Sequence, residues 1–482
     1  MELSDFSKML HGYLTELSSR ANFKTYLSLF LLLSLLPISM VSPAMAAGVD
    51  IDVRIGNGLE WILGQEIDYF LGSRAFVSAV STKPDKYRIY VDENSMAASA
   101  FAMYHKVYTS EKYDQKLKSA LTFIMAAQTA EKDFYNYWNM TTRKWNHHGK
   151  LYYWNAYAVE GLAFSAFHMR LSATLESEKS FFNRAKNAAA ACIEEWHERS
   201  QQPDGRWIFS QLDAADHAEV DENGMILTAL LYLALFERYW GDQESARTYA
   251  DWAEKTAVWI LSRQEKDSSS WAYGGFYHDE SESIQYTDSN GRAIFGLTAY
   301  LRTINSLRGQ TEPTFSHVRS SIHVWADNFL LELFDSYWGI SWYRTRSGIT
   351  SYPKQVYRAA EVMKALIEAW IVLGDFKFQY YASRVYDWIT GMNENSIDLQ
   401  QALNRKSKGG GFYIGINADG SVEEESNLET TATATGALIY GRWIAIPEFP
   451  NHAFSLLMLL TLIMTLYPSK YMKLRESGLS SS

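Results

Sequence analysis

Residues 264–301 read QEKDSSSWAYGGFYHDESESIQYTDSNGRAIFGLTAYL, and this segment predicts the unit from which the chain is built. Just before it, apolar residues of the run Tyr249–Ile260 recur with helical spacing, which is typical of a helix with one buried face. Within it, Thr287 and Asp288 provide N-cap chemistry, and the run Ala293–Leu301 is apolar nearly all round. The segment therefore predicts an amphipathic outer helix, a long loop and an inner helix that is buried on every side.

The same unit recurs with a period of roughly 60–70 residues, which is the signature of a repeat architecture. Runs of the outer type are Leu59–Ile67, Leu117–Ile124, Phe181–Trp196, Tyr249–Ile260, Val318–Leu333 and Tyr381–Ile389. Runs of the inner type begin near Met96, Ala156, Met225, Ala293, Ala359 and Thr430. Two short motifs keep the register, VDEN at Val91–Asn94 and Val220–Asn223, and GGFY at Gly274–Tyr277 and Gly410–Tyr413. Six hairpins that each need neighbours predict one closed domain.

The first hairpin has the least regular sequence. We expect Gly48–Asn57 to be a polar linker or an early strand, followed by an outer helix over about Leu59–Leu71. The first inner helix is expected over Asp92–Tyr104. Between them, Arg74–Tyr90 is expected to be a long loop with strand-like runs.

Six consecutive helical hairpins resemble the (α/α)6 toroid of the six-hairpin glycosidase superfamily. The resemblance covers about Leu59–Ile446 and implies an all-α fold with short β-like segments in the rim loops. The GGFY loops are similar to those of N-acylglucosamine 2-epimerases, and Gln202–Trp207 is similar to the Gln-Trp repeats of terpene-cyclase toroids. Because one fold serves many chemistries, this resemblance implies architecture rather than a single activity.

Composition excludes several classes of protein. The chain has 482 residues and a net charge of −10, without a long basic tract, so nucleic acid is not an expected partner. Cys192 is the only cysteine, which excludes an intrachain disulfide and a zinc site of cysteines.

Both ends of the chain predict membrane association. Arg20 and Lys24 precede the apolar run Tyr26–Val41, and Ala44-Met45-Ala46 fits a cleavage site, so residues 1–46 are expected to be a signal peptide or an N-terminal anchor. Near the other end, Pro447-Glu448-Phe449 precedes an apolar run and a basic cluster.

This C-terminal arrangement resembles the sorting tails of prokaryotic surface proteins, which implies a membrane sortase as partner. An ordinary tail anchor is the alternative. Either reading predicts three regions, namely the N-terminal segment, a toroid domain over residues 47–446 and a tail over residues 447–482. The domain itself is then extracellular and anchored to the cell surface.

Candidate catalytic groups are acids at the starts of the inner helices. Inner helices of one polarity bring their N-termini to one rim, and glycoside hydrolysis needs two carboxyl groups across a bond. The candidates are Asp92, Asp221, Glu222, Asp288 and Glu429. A helix N-terminus favours the charged form, so Asp221 and Glu222 are expected to act as base or nucleophile, with Asp288 or Glu429 as general acid. The alternative for each acid is a helix cap.

Candidate substrate-binding groups are rim aromatics, on whose faces sugar rings can lie, and nearby polar side chains. They are Trp145, Trp154, Trp207, Trp271, Tyr357, Arg358 and His217. The adjacent pair His147-His148 could supply a base or a metal ligand, but adjacent histidines rarely point the same way. We therefore expect no metal and no cofactor.

The sequence favours a carbohydrate-active enzyme, and a glycoside hydrolase is the first hypothesis. A polysaccharide lyase is the nearest alternative, for which His147, His148, Tyr153, Asn155 and Arg358 are available. A sugar epimerase is less favoured, because His168 is the only histidine placed on an inner helix. A non-catalytic glycan-binding surface protein is the remaining alternative. The expected partners are thus an oligo- or polysaccharide and the membrane.

Overall fold

The computed structural model describes residues 51–70, 73–77, 88–210, 216–308, 313–336, 338–391, 400, 411–423 and 427–445. The chain divides into a large unit, Asp52–Ile444, and a second unit of Met1–Ile51 with Ala445–Ser482, nearly all of which lies outside the described residues. The expected N-terminal segment 1–46 and the tail 447–482 also lie outside them. Within the described ranges, no helix is both long and apolar enough to span a membrane.

Helices dominate the large unit, and outer and inner types alternate. In chain order they are α1 (residues 51–64), α2 (Val91–Tyr108), α3 (Asp114–Ala126), α4 (Tyr153–Ser172), α5 (Glu176–Ser200), α6 (Val220–Trp240), α7 (Gln243–Ser262), α8 (Thr287–Arg308), α9 (Pro313–Val324), α10 (Val356–Leu373), α11 (Phe376–Thr390) and α12 (Leu428–Ala445). Helix α9 continues through a π-helical segment, Trp325–Leu330, and the short turn Leu331–Leu333.

The six even-numbered helices are the inner ones. Helix α6 is buried from Val220 to Glu237, whereas α7 buries one face only, which includes Tyr249, Ala253 and Ile260. One cavity is lined by side chains from all six inner helices, and the Thr433 hydroxyl of α12 lies 3.6 Å from the Met96 sulfur of α2. The hairpins therefore close into a ring, as the repeat predicted.

Short antiparallel strands connect the loops at one end of the ring. They are β1 (Glu66–Phe70), β2 (Ser73–Phe76), β3 (Arg88–Tyr90), β4 (Tyr137–Asn139), β5 (Lys144–Asn146), β6 (Ile284–Tyr286), β7 (Tyr343–Thr345), β8 (Gly348–Thr350), β9 (Lys354–Gln355), β10 (Gly415–Ile416) and β11 (Val422–Glu423). The sheets are β1-β2, β3-β4-β5, β6-β7-β8 and β11-β10-β9. Each three-stranded sheet combines strands from two consecutive hairpins; Ile89 pairs with Trp138 and Gln285 with Arg344.

The first outer helix begins earlier than the sequence predicted. Residues 51–64 are helical, and Glu66–Phe70 form a strand. The helix expected over Leu59–Leu71 is therefore correct only as far as residue 64, and the described part of the linker expected over Gly48–Asn57 is helical instead. Ile51, Ile55 and Leu59 are at most 1% exposed and lie on one helical stripe. Burial of this stripe outweighs the weak helix propensity of the glycines and the asparagine between these residues.

The VDEN motif is explained by a buried asparagine that fastens each rim loop to its inner helix. The side-chain oxygen of Asn223 accepts from the backbone N–H of Trp207 at 2.8 Å, and its amide donates to the Trp207 carbonyl at 3.0 Å. Equivalent bonds join Asn94 to Phe76, Asn155 to Phe134 and Asn290 to Phe276, and Thr431 accepts from Phe412. We call this contact the asparagine clasp. It satisfies buried backbone groups that no strand or helix pairs.

The GGFY motif is explained by close packing between a loop and an outer helix. A Cβ on Gly275 would lie 2.5 Å from both the Gln285 Oε1 and the Phe329 ring, and Gly274 has φ of +86°. A Cβ on Gly411 would lie 2.6 Å from the Trp61 indole. Only glycine fits these positions, and it lets the aromatic residue that follows it reach the clasp.

Candidate functional site

The first turns of the inner helices form what we call the mouth. Its side chains are Asp92 on α2, Tyr153 on α4, Asp221 and Glu222 on α6, Asp288 on α8, Tyr357 and Arg358 on α10, and Glu429 on α12. They interact across helices: burial raises the pKa of Tyr153, and the carboxyl groups of Asp92 and Glu429 raise it further. The structure thus brings together the acids that the sequence placed at one rim.

Arg292 of α8 lies at the centre of the mouth and is only 7% exposed. Its guanidinium approaches carboxylates on both neighbouring inner helices, with Nη1 3.4 Å from Asp221 Oδ2 and Nε 3.9 Å from Glu361 Oε1. It also donates to the Tyr157 hydroxyl and lies over the rings of Tyr157 and Tyr357, 4.7 and 5.1 Å from their centroids. Arg292 therefore joins α6, α8 and α10 through buried ion pairs at the mouth.

Two acids of the mouth have pKa values that are raised towards neutral pH. Burial raises the pKa of Glu429 to about 7, and the neighbouring Asp92 contributes in the same direction. Burial likewise raises the pKa of Asp92 to about 6. Both groups can therefore carry a proton near neutral pH, which is what a general acid requires.

Glu222 differs from the sequence-based expectation. We expected a charged carboxylate, because a helix N-terminus stabilises negative charge. Burial, followed by repulsion from Asp221 and Glu219, instead raises the pKa of Glu222 well above its ordinary value. Loss of hydration outweighs the helix dipole here, so Glu222 is an acid rather than a base.

Asp288 forms an ion pair with Arg358, and this pair spans α8 and α10. The Arg358 guanidinium also lies 5.1 Å from the centroid of the Trp342 ring, which fixes its position. Asp288 thus has a guanidinium partner, which argues against the general-acid role that we considered for it. Next to it, the Tyr357 hydroxyl lies 3.1 Å from that of Tyr157.

The four predicted tryptophans do not line the central cavity. Trp154 and Trp207 are fully buried; the Trp154 indole donates to the Phe134 carbonyl at 2.8 Å and that of Trp207 to the Thr256 hydroxyl at 3.1 Å. Half-buried Trp145 packs against Trp138, with ring centroids 5.2 Å apart, and Trp271 lies 6.1 Å from Tyr277. The first two pack in the core, and the other two pack within rim loops.

Two histidines from rim loops reach the N-terminal end of α6. His278 lies between two acids, with Nδ1 3.6 Å from Asp221 Oδ1 and Nε2 3.6 Å from Glu219 Oε1, and His217 contacts Glu219 from another side. Burial alone lowers the pKa of His278, but Glu219 and Asp221 outweigh it and raise the pKa to about 9. By contrast, His147 and His148 are exposed and pack against Tyr137 and Tyr135.

A cavity of about 70 Å³ lies directly below the mouth on the ring axis. Its charged lining consists of Glu160, Arg292, Glu361 and Lys364, and its apolar lining includes Met96, Met103, Met225 and Phe295. Burial raises the pKa of Glu160 to about 7. Lys364 pairs with Glu361 at 2.8 Å. The cavity therefore extends the polar site inward from the mouth.

A second polar layer fills the ring below the cavity. Arg302 of α8 makes two bonds to Glu368 of α10, at 2.8 and 2.7 Å, and donates to the Tyr232 hydroxyl of α6 at 2.8 Å. Tyr232 lies 3.4 Å from the imidazole of His168. Glu368, Tyr232 and His168 are all buried. We call this layer the floor, because it joins inner helices across the ring axis.

Comparisons with solved structures support this architecture. A cellobiose 2-epimerase from Spirochaeta thermophila superposes with a TM-score of 0.61 at 15% identity, over 84% of this chain and 98% of that chain. A D-mannose isomerase gives 0.59 at 12% identity, over 81% and 96% of the two chains. A glycoside hydrolase family 76 mannosidase from Bacteroides thetaiotaomicron gives 0.52 at 11% identity, over 83% and 99%. The chain is an (α/α)6 toroid.

Sequence comparison adds nothing to this assignment. No family model matches the chain, and no curated protein matches it either. The toroid therefore shares a fold with these neighbours at identities that carry no information on activity. Its function has to be argued from its own mouth and cavity.

Three polar residues of the toroid's interior were missed in the sequence. Arg292 and Glu160 are charged residues in otherwise apolar inner helices, and that contrast could have revealed them, because unpaired charge is costly to bury. His278 lies directly after GGFY, in a loop whose path no local pattern specifies. Only the tertiary structure brings it to Asp221.

Proposed function

We propose that this toroid is a carbohydrate-active enzyme, and specifically a glycoside hydrolase that acts at its mouth. One observation carries the proposal, namely that two inner helices on opposite sides of the ring present carboxyl groups in different environments. Asp221 of α6 is ion-paired with Arg292, and Glu429 of α12 has a pKa of about 7. A carboxylate facing a carboxylic acid across a bond is what glycoside hydrolysis requires.

The proposed roles follow from these two environments. Glu429 donates its proton to the glycosidic oxygen while the bond from that oxygen to the anomeric carbon breaks. Asp221 attacks the anomeric carbon or removes a proton from the water that does so. Arg292 and His278 form ion pairs with Asp221 and hold its carboxyl group in position. Tyr157, Tyr357 and Arg358 supply hydroxyl and guanidinium groups for contacts with the sugar hydroxyls.

The charges at the mouth favour a neutral sugar over a uronic acid. Both cations of the mouth already have carboxylate partners, since Arg292 pairs with Asp221 and Arg358 with Asp288. A lyase must neutralise the uronate carboxylate before it can remove the adjacent proton, and neither cation is available for that role. Asn155, which we considered for a lyase, is also engaged in an asparagine clasp. The lyase alternative is therefore the weaker one.

An epimerase or isomerase is a second candidate, and His278 is the observation that favours it. This imidazole approaches Asp221 and Glu219, although the sequence placed only His168 on an inner helix. Proton transfer next to a sugar carbonyl needs a group that can give and take a proton, and a histidine beside carboxylates can serve in its acid form. Structural neighbours of the same fold include proteins described as cellobiose 2-epimerase and D-mannose isomerase, as well as the mannosidase.

A substrate panel separates these candidates. The purified chain is incubated with neutral oligosaccharides, polyuronates and free mannose or cellobiose, in D2O for the free sugars. A hydrolase releases new reducing ends from neutral oligosaccharides. An epimerase or isomerase instead places deuterium on the carbon next to the carbonyl and releases no reducing ends, whereas a lyase produces an unsaturated, ultraviolet-absorbing end. Binding without any of these products would identify a glycan-binding protein.

Variants of the two carboxyl groups test the mechanism. We expect Asp221→Asn and Glu429→Gln each to lower turnover by about a hundredfold or more while sugar binding survives. Asp375→Asn is the matched control, because Asp375 caps α11 by accepting from the Lys377 N–H at 3.0 Å and makes no contact with the mouth residues. If Asp221→Asn and Glu429→Gln keep full turnover, these residues are structural and the assignment is wrong.

We further propose that the domain is extracellular and anchored at the cell surface. The support is the pattern at the two ends of the sequence, an apolar segment after Arg20 and Lys24 and the Pro447-Glu448-Phe449 motif before a second apolar segment. A neutral glycan of the cell envelope or of the surroundings would then be the substrate.

A further inference from the structure

A segment at the start of α6 presents three potential ligands on one face. Residues His217–Glu219 run extended into α6, so the side chains of His217 and Glu219 point the same way, and Asp221 follows in the first turn of the helix. Ala218 and Val220 are fully buried on the opposite face, which leaves His217, Glu219 and Asp221 directed towards the loop that carries His278. The backbone N–H of Val220 donates to the His278 carbonyl at 2.8 Å and holds that loop in place.

We propose that Glu219, Asp221 and His278 bind a divalent ion of a first-row transition metal. One potential ligand atom from each of these residues lies within 4.8 Å of the other two. Atoms that coordinate one ion at about 2.0–2.2 Å lie somewhat closer to one another than this limit, so small side-chain adjustments bring all three into coordination. The site shares Asp221 with the proposed hydrolase, although its test needs no turnover, and it departs from our expectation of a site without metal.

One carboxylate oxygen at this place, Asp221 Oδ1, is buried without a hydrogen-bond donor, and the residue is 8% exposed. The carboxyl group of Glu222 approaches those of Glu219 and Asp221 and belongs to the same cluster. Buried carboxylate oxygens normally have partners, and a cation satisfies several of them together.

Neighbouring side chains already orient the ligands. His217 contacts the Glu219 carboxylate, and the Ser289 hydroxyl lies 3.2 Å from Nδ1 of His278. Arg292 approaches the other oxygen of Asp221, Oδ2, at 3.4 Å, which leaves Oδ1 for the ion. Such outer contacts fix the orientation of ligands in established metal sites.

The donor set indicates which ion binds. Imidazole nitrogen together with carboxylate oxygen suits Zn²⁺, Mn²⁺ or Fe²⁺, whereas Ca²⁺ and Mg²⁺ prefer oxygen alone. At this position, beside the proposed base Asp221, the ion would polarise a water molecule or a sugar hydroxyl at the mouth.

Titration calorimetry on the full-length chain tests the site. The chain is stripped with EDTA and titrated separately with Zn²⁺, Mn²⁺ and Ca²⁺ in the absence of sugar. We expect one equivalent of Zn²⁺ or Mn²⁺ to bind, and His278→Ala and Glu219→Gln each to weaken binding by at least about tenfold. Cobalt provides a second readout, because the visible absorption of bound Co²⁺ changes when the imidazole ligand is removed.

A second group of potential ligands provides the matched control. Glu131, Asp133 and His148 also lie within 4.8 Å of one another, but Glu131 and His148 are exposed, and Asp133 accepts from the Gly149 N–H. His148→Ala should leave the stoichiometry and affinity unchanged. An effect of His148→Ala equal to that of His278→Ala would place the ion elsewhere and overturn the proposal.

Other outcomes also decide the matter. The proposal fails if no transition metal binds, if Ca²⁺ binds in preference, or if folded His278→Ala binds like the parent chain. Should His278→Ala not fold, as judged by circular dichroism, Glu219→Gln decides in the same assay. Because no sugar is present, failure here leaves the hydrolase proposal standing, and a chain without turnover can still pass this test.

Discussion

Glu429 lies in the first turn of α12, where backbone N–H groups favour negative charge, and yet its pKa is raised towards neutral pH. The reason is that burial removes the hydration that a carboxylate needs, and Asp92 opposes a second negative charge. The same competition decides the state of Glu222. At the scale of single residues, desolvation is therefore the effect that prepares acids in this ring.

Glu429 should make the protein less stable as pH rises. Its pKa is 4.5 in an ordinary environment and about 7 when folded. Between these values the native state holds a proton that the unfolded state has lost, so stability present below pH 4.5 falls by about 3 kcal/mol up to pH 7. Glu429→Gln removes this dependence, and melting temperatures measured from pH 4 to 8 should fall less steeply in the variant. Parallel curves would contradict the assigned burial.

The pH dependence of turnover should follow the ionisation of Glu429. If Glu429 is the general acid, the rate falls as pH rises above about 7, because the fraction of protein that carries the proton decreases. The pH dependence of kcat measures this limb. The limb should be absent from the residual activity of Glu429→Gln, and its persistence there would assign it to another group, of which Glu160 is the first to examine.

At the scale of elements, the asparagine clasp connects each long loop to the helix that follows it. Four inner helices use an asparagine for this contact, and α12 uses Thr431. The clasp is therefore a repeated element of the fold. Through it the loops that carry Glu219 and His278 are fixed at both ends. The clasp therefore positions the mouth without being part of it.

Asn290→Ala should unfold the protein more easily, because it leaves the buried N–H and C=O groups of Phe276 unpaired. An unsatisfied buried group costs about 1–3 kcal/mol, and two are lost here. Asn305→Ala, on the exposed side of the same helix, is the matched control and should change stability by less than about 0.5 kcal/mol. Chemical denaturation of both variants measures the difference. Equal stabilities would show that water replaces the clasp.

The helices were largely predictable from the sequence because burial of their faces is periodic, whereas the mouth was predictable only in part. Glu222 and Asp288 were correctly placed at helix starts, but the protonation of Glu222 depends on its burial in the ring, and Asp288 pairs with Arg358 of another hairpin. Trp207 looked like a rim aromatic because its turn is polar, and the clasp draws it into the core. Contacts between hairpins leave no local pattern in the chain.

At the scale of the whole molecule, ring closure makes the hairpins depend on one another. Inner helices α2, α4 and α6 are buried against neighbours on both sides, so a chain that ends at Glu219 would leave α4 exposed along one side. We expect this fragment to aggregate or remain largely unfolded, and the fragment of residues 47–446 to fold. Circular dichroism and cooperative melting measure both. A stable half ring would contradict closure as the source of stability.

The proposed surface anchoring is tested in the native host. Replacing Pro447-Glu448-Phe449 with alanines should leave an uncut protein retained in the membrane if a sortase acts at this motif. Cell fractionation and the mass of the protein provide the measurement. An unchanged mass and an unchanged fraction would favour a simple tail anchor.

The floor of Arg302, Glu368 and Tyr232 has a consequence for the course of the reaction. Because these side chains join α6, α8 and α10 beneath the cavity, we expect a sugar that enters at the mouth to leave by the same path. A polymer cannot be threaded through the ring, so a hydrolase of this shape would trim a glycan from its terminus and would need each released unit to depart before the shortened chain could enter again.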